Sequence, residues 1–419
     1  MRFGVFYELQ LPGPWGPTSE RDLFHQALDQ VALADRLGID HAWAVEHHFL
    51  EEYSHCSAPE VFLAAAAART KNIRVGHGIR QVIARYNHPA RTAECLSTLD
   101  VVSDGRLDFG IGEGATRLEL HGFNIPAREK RAWSLEAAGA IADMMVMTPY
   151  PGFEGASFSM PARNVIPKPV QKPHPPMWMA CTNRDTIKVA AANGLGALAF
   201  SFVNPQEAAT WSKIYYDTIK SEACVPLGHS VNANIAMVSA FSIHDDAAEA
   251  VRRGQEGFEF FGYAVNALVA RDATPGYPKL WRDFKTLQGD RQQALIEAAK
   301  RPGAVGDDRA PGIGTPEDLA RHIREFESVG VDQIIFLQQA GKNRHEMICE
   351  ALELFAARVL PEFKSKVFAR EAKKAAELAP HVEAALKRKK LRPALAEHEV
   401  PIVVASSSSG AVVNRGKAS

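Results

Sequence analysis

The sequence predicts an α/β chain closed into a (β/α)8 TIM barrel. Three observations carry this. Eight short apolar runs of strand length recur along the chain. Helical patterns of apolar residues separate them. The first run lacks the glycine fingerprint of a doubly wound dinucleotide fold.

Each element has its own local reason. Arg2 to Tyr7 is the first strand, followed by Pro and Gly punctuation from Leu11 to Pro17. Thr18 or Ser19 caps a helix whose face is Phe24, Leu28, Val31, Ala34 and Leu37, closed by Gly38. His41 to Val45 is the second strand and runs into Glu46-His47-His48-Phe49. A helix over Ala58 to Thr70, a strand at Ile73 to Ile79 and a helix over Pro89 to Val102 follow. Arg106 to Gly112 is the fourth strand, and Glu129 to Met147 a long helix. Tyr150 to Pro176 is rich in Gly and Pro and reads as a strand-poor or hairpin excursion. Strands at Pro176–Ala180, Gly196–Phe200 and Val231–Val238 alternate with helices at Arg184–Asn193, Pro205–Glu222 and Asp245–Phe261. Arg271 to Gly314 breaks the rhythm; a long insertion before the last βα unit reads as a lid. Thr315-Pro316 opens the next helix, Asp332 to Leu337 is the eighth strand, and His345 to Val359 is the last barrel helix.

The expected organisation is a barrel domain over 1–363, a basic helical extension over 364–400 and a disordered tail over 401–419. The 419 residues are 46% hydrophobic and 23% charged, ample for one large core. A net charge of −1 gives no electrostatic reason to expect nucleic acid or a membrane surface. Five scattered cysteines without a C-x-x-C pair, and no apolar leader or spanning run, point to a cytoplasmic protein.

In a barrel, the residues that end each strand form the catalytic face. Here these are Tyr7 and Glu8; Glu46, His47 and His48; Arg80 and Gln81; Gly112, Glu113 and Gly114; and Cys181, Thr182 and Asn183. Asn232 and Asn234 of the seventh strand are placed near the interior. Glu46-His47-His48 admits three readings: a metal site, a hydrogen-bonded core cluster, or an acid/base centre. Strand alternation sends adjacent histidines to opposite faces, which disfavours metal chelation. A carboxylate beside an imidazole suits acid/base work. Gly110 to Gly114 marks a close backbone approach or simply a tight strand exit. Cys181-Thr182-Asn183 opens a helix, whose first turn reads either as an anion site or as a plain N-cap. Trp15, Phe49, Trp178, Phe200 and Phe202 are the aromatics expected to line an apolar cavity.

These motifs, in order, are similar to those of the bacterial luciferase-like flavin monooxygenases. The resemblance covers Met1 to Phe363. It rests on Glu46-His47-His48-Phe49, Ile73-Arg74-Val75-Gly76, His88-Pro89-Ala90-Arg91, Ser103-Asp104-Gly105-Arg106, Trp281-Arg282-Asp283-Phe284 and Gly314-Thr315-Pro316-Glu317. The resemblance implies an enzyme that takes reduced FMN from a separate NAD(P)H:flavin reductase. It implies reaction with O2 to a C4a-hydroperoxyflavin and oxygenation of a small organic substrate. It makes His47 the catalytic acid/base, with His48 and Glu46 beside it, and Arg131, Thr182 and the amide of Cys181 the flavin phosphate site. Gly112 and Gly114 fall at the cofactor, and a homodimer is expected. No metal is implied. Two alternatives remain on the same barrel: an F420-dependent dehydrogenase or reductase, and a non-catalytic flavin-binding partner subunit. One departure stands out. Where the luciferases carry Cys-Arg after the fourth strand, this chain has Gly112-Glu113. Glu113 cannot pair with a phosphate, so the phosphate is left to Arg131 and backbone donors, or Glu113 turns toward the substrate.

Overall fold

In the computed structural model, which describes residues 1–289, 291, 293, 309–403 and 412–413, eight parallel strands close into a barrel. They are β1 (Arg2–Tyr7), β2 (His41–Ala44), β3 (Arg74–Gln81), β4 (Leu107–Gly112), β5 (Met177–Cys181), β6 (Gly196–Ala199), β7 (Ile235–Ala240) and β8 (Gln333–Gln339). Each pairs with its sequence neighbours, and β8 closes on β1 through Phe3↔Ile334. The helices are α1 (Ser19–Leu37), α2 (Pro59–Arg69), α3 (Pro89–Val102), α4 (Arg117–Gly122), α5 (Lys130–Val146), α6 (Arg184–Ala192), α7 (Pro205–Lys220), α8 (Ala247–Ala270), α9 (Leu280–Gln288), α10 (Pro316–Ser328), α11 (His345–Arg358) and α12 (Leu360–Arg388).

Most strand residues are buried because helices cover the outside and side chains fill the lumen. Trp43 is the largest filler. It meets Trp178 edge-on at 5.5 Å, and glycines make room for it. A Cβ on Gly76 would sit 2.3 Å from the Trp43 ring, so only glycine fits there. The β3–β4 pairing slips between His77 and Arg80, which pushes the His77 carbonyl toward Gly110.

The excursion after α5 contains one two-stranded hairpin, Phe153–Glu154 with Ser159–Met160. β7 begins at Ile235, later than the expected Val231. Asn232 and Asn234 therefore sit at the amino end of the barrel, away from the catalytic face. There Asn232 donates to the Met177 carbonyl, and Asn234 pairs with Asn232 and Lys374.

The basic C-terminal helix starts at Leu360 and runs unbroken past Phe363. Its inner face is spent on acids of the barrel base. Lys364 binds Asp40 at 2.5 Å, Arg370 binds Glu327 at 3.1 Å, and Lys374 binds Asp332 at 2.7 Å. Arg2 clamps the same helix from below, with Asp40 at 2.8 Å and Glu371 at 2.6 Å. Part of the expected lid, 290, 292 and 294–308, lies outside the described residues, as does most of the expected tail. Ile402–Val403 pairs antiparallel with Val412–Val413. No described helix is long and apolar enough to cross a membrane.

Candidate active site

The carboxyl ends of the strands surround a cavity of about 510 Å³. Its walls are largely apolar: Phe6, Ile79, Ile111, Met179 and Phe200 from the barrel, and Leu135 from α5. α8 runs to Ala270, well beyond the expected Phe261, and its last turns add Val265, Leu268 and Val269 as a roof. Of the five aromatics expected to line the cavity, Phe200 does so. Trp178 faces the barrel base, and Trp15, Phe49 and Phe202 lie outside the wall.

The loop after β2 presents His47 to this cavity. Its backbone N–H is fixed to the Cys56 carbonyl at 2.9 Å. The imidazole lies between two buried carboxyl groups. Nδ1 is 2.9 Å from Glu119 Oε1, and Nε2 is 3.7 Å from Glu8 Oε2. Glu119 is itself held by Thr116 Oγ1 at 2.8 Å and by the His48 N–H at 3.1 Å. Glu8 accepts from Tyr53 OH at 2.9 Å through its other oxygen.

The electrostatics follow from that geometry. Burial opposes a charge on His47, but Glu119 and then Glu8 outweigh it and raise the pKa to about 9. The two carboxyl groups favour the protonated ring, which suits it to donate a proton. Burial also works against ionised Glu119, yet His47 and the donors around it hold its pKa below the usual value. Burial pushes Glu8 up to about 7, against the pull of His47 and the Tyr53 hydrogen bond. One carboxyl is thus an ionised support and the other sits poised near neutrality, a division typical of acid/base sites.

His48 and Glu46 form a second, adjoining network. His48 Nε2 is 3.1 Å from Glu46 Oε1, which also accepts from Asn87 at 2.7 Å. Glu46 Oε2 takes the Gln81 N–H at 3.0 Å. Neither Glu46 nor His48 lines the cavity; the two imidazoles turn to different carboxylates. Glu46 braces the start of the loop that carries His47.

The rim opposite His47 carries charge. Lys130 and Arg131, in the first turn of α5, line the cavity, and so does Glu113 from the β4 exit. Glu113 reaches Arg131 at 3.2 and 3.4 Å and Lys130 at 3.3 Å. Across the mouth, Thr182, Asn183 and Thr186 open α6. The Cys181 side chain does not line the cavity: its thiol is buried against the Met179 carbonyl, and burial raises its pKa. Gly112 and Gly114 both line the wall, the latter with φ +74.

Glu119 and Lys130 are the site residues that sequence reasoning missed. Glu119 lies in α4, a six-residue helix too short to show periodicity. The available signal was Thr116-x-x-Glu119, a capping-box spacing. Thr116 does cap the helix, but the Glu119 carboxylate turns to His47.

A planar heteroaromatic cofactor with a phosphate tail fits these walls. Gln81 and Glu8 line the cavity, and Gln81 Oε1 and Glu8 Oε2, both buried, have no hydrogen-bond partner among the described residues. The rim adds two cations, Lys130 and Arg131, to largely apolar walls.

A closed parallel barrel with an acid/base cluster at its carboxyl face is an enzyme of the (β/α)8 class. The chain belongs to the luciferase-like monooxygenases, whose sequence profile matches residues 1–333. It is 25% identical to the alkanal monooxygenase alpha chain of Photobacterium leiognathi over 372 residues, 86% of this chain and 98% of that one. The oxygenase component of the flavin-dependent trigonelline monooxygenase of Acinetobacter baylyi is 29% identical over 199 residues, 46% of this chain and 52% of the relative. Among solved structures, the monooxygenase RslO1 from Streptomyces bottropensis superposes with a TM-score of 0.69 at 26% identity. It covers 87% of this chain and 100% of its own.

Proposed function

We propose that this protein is the oxygenase of a two-component flavin monooxygenase. It takes reduced FMN from a separate NAD(P)H:flavin reductase and uses O2 to place one oxygen atom in a small apolar substrate. The observation that carries the reading is His47, set between the buried carboxyl groups of Glu119 and Glu8 on the wall of a largely apolar cavity. Bound reduced flavin would supply the electrons that activate O2.

The chain's own residues do the rest. Lys130, Arg131 and Thr182 would hold a phosphate at the rim. The apolar walls and the α8 roof exclude water and take the substrate. His47 Nε2–H delivers a proton to oxygen in the cavity, and Glu119 keeps Nδ1–H oriented away from it. Glu8, with its pKa near 7, returns the proton to Nε2. His48 and Glu46 act through the loop, as positioning residues. The same reading takes the enzyme as a cytoplasmic homodimer.

Single turnover with chemically reduced FMN, O2 and a panel of apolar ketones, aldehydes and amines tests this. Product should gain one oxygen atom by mass. His47→Asn should keep flavin binding and lose about 10²- to 10⁴-fold in oxygenation rate. Turnover only with reduced F420, or full activity in His47→Asn, refutes the reading.

A further inference from the structure

Most donors of the anion site are already paired within the protein. On one side Glu113 lies as a fork on Arg131, at 3.2 and 3.4 Å, and its Oε1 also reaches Lys130 Nζ at 3.3 Å. Lys130 gives a further hydrogen bond to the Gly114 carbonyl at 2.6 Å. On the other side, the N–H groups of Thr182, Asn183 and Thr186, the residues at the start of α6 that line the cavity, are already used, which leaves those of Arg184 and Asp185 in the first turn. Thr182 N–H and Asn183 N–H donate to Thr186 Oγ1, at 3.0 and 3.2 Å. Thr186 N–H donates to Asn183 Oδ1 at 3.0 Å. Two cations and one carboxylate leave a local charge of about +1, against a phosphate monoester of about −2.

We infer that Glu113 is an internal counter-ion of this site, and that it makes the enzyme hold a phosphorylated flavin scarcely better than its dephosphorylated form. The inference rests on the flavin reading above and concerns one residue within it. A phosphate that engages Arg131 must displace the Glu113 carboxylate or lie against it. Either way, part of the gain from the cations is cancelled by the bond given up or by repulsion between like charges. Glu113 already reaches the rim, so it turns to solvent without rearrangement of the fold. The consequence suits an oxygenase that receives its flavin from another protein and gives it back: the ring is recognised by the cavity, and the tail anchors it only loosely.

The test is equilibrium binding of oxidised FMN and of riboflavin to the full-length protein, followed by flavin fluorescence at low and high salt. Wild type should prefer FMN over riboflavin by less than about tenfold. Glu113→Gln should bind FMN about tenfold more tightly and riboflavin equally well, since a neutral amide frees both cations without loss of volume. The gain should shrink at high ionic strength, because the rim is half open to solvent. Glu113→Asp keeps the charge and should resemble wild type, which separates charge from packing. An FMN-to-riboflavin ratio unchanged by Glu113→Gln, or an equal gain for both ligands, overturns the role of Glu113 and leaves the flavin reading intact. Failure of every variant to bind either flavin, oxidised or chemically reduced under anaerobic conditions, removes the flavin reading itself, and this inference with it.

Discussion

Replacing Glu119 by Gln isolates the charge that makes His47 an acid. The amide oxygen keeps an acceptor for His47 Nδ1 and the His48 N–H, and the amide NH2, in place of Oε2, donates to Thr116 Oγ1, so the shape of the cluster is kept while its charge is removed. In wild type the His47 pKa is raised from 6.5 to about 9, with burial opposing and Glu119 the larger of the two carboxylate contributions. At about 1.4 kcal/mol per unit, that shift corresponds to about 3 kcal/mol for the cluster. Loss of Glu119 should lower the His47 pKa by about two units and remove about 2 kcal/mol of folding stability at pH 6. The signs fix the window. A raised histidine pKa contributes stability that is complete below 6.5 and lost as pH rises through about 9. The depressed Glu119 pKa contributes stability above its unfolded value that is lost in acid. The difference between wild type and Glu119→Gln should therefore peak in mildly acidic solution and vanish above pH 9. Imidazole carbon NMR on histidine-labelled protein, with His47→Asn to assign the signal, measures the pKa; urea unfolding measures the rest. A wild-type His47 that titrates near 6.5, or one unmoved by Glu119→Gln, refutes the argument.

Two further outcomes follow from the same coordinates. Glu8 is raised to about 7 by burial, so wild type loses up to about 3 kcal/mol as pH climbs from about 4.5 through 7. Glu8→Gln should flatten that decline in urea unfolding and blunt the pH dependence of turnover around 7; an unchanged slope contradicts the assignment. Gly76→Ala drives a methyl to 2.3 Å from the fully buried Trp43 ring and should cost about 1 to 3 kcal/mol of stability by the same measurement.

The barrel was legible because its strands are short apolar runs and its helices carry strong start signals. His88-Pro89, Asn204-Pro205 and Thr315-Pro316 each fixed a helix start to the residue. Errors arose where side-chain packing, not local pattern, decides the outcome. Val231 and Ala233 look like strand residues, but Asn232 and Asn234 are tied to the barrel base, and β7 starts only after them. The end of α8 was lost because Val265 and Val269 stay exposed and, with Leu268, face a cavity rather than closing a core stripe. Of the acid/base site, His47 could be read from its motif. Its two controlling carboxylates could not be joined to it, since Glu8 and Glu119 lie far apart in sequence and meet only when the barrel closes. Glu113 is out of place for a phosphate site by residue type alone, but its partners Lys130 and Arg131 belong to another element and meet it only in the fold.

The central claim is that this cavity receives reduced FMN. Anaerobic calorimetry, titrating reduced FMN into the protein, tests it most directly. Saturable binding of one reduced flavin per chain is the predicted result, retained in His47→Asn and weakened in Arg131→Gln. Absence of heat and of competition by riboflavin, with binding of reduced F420 instead, would contradict it.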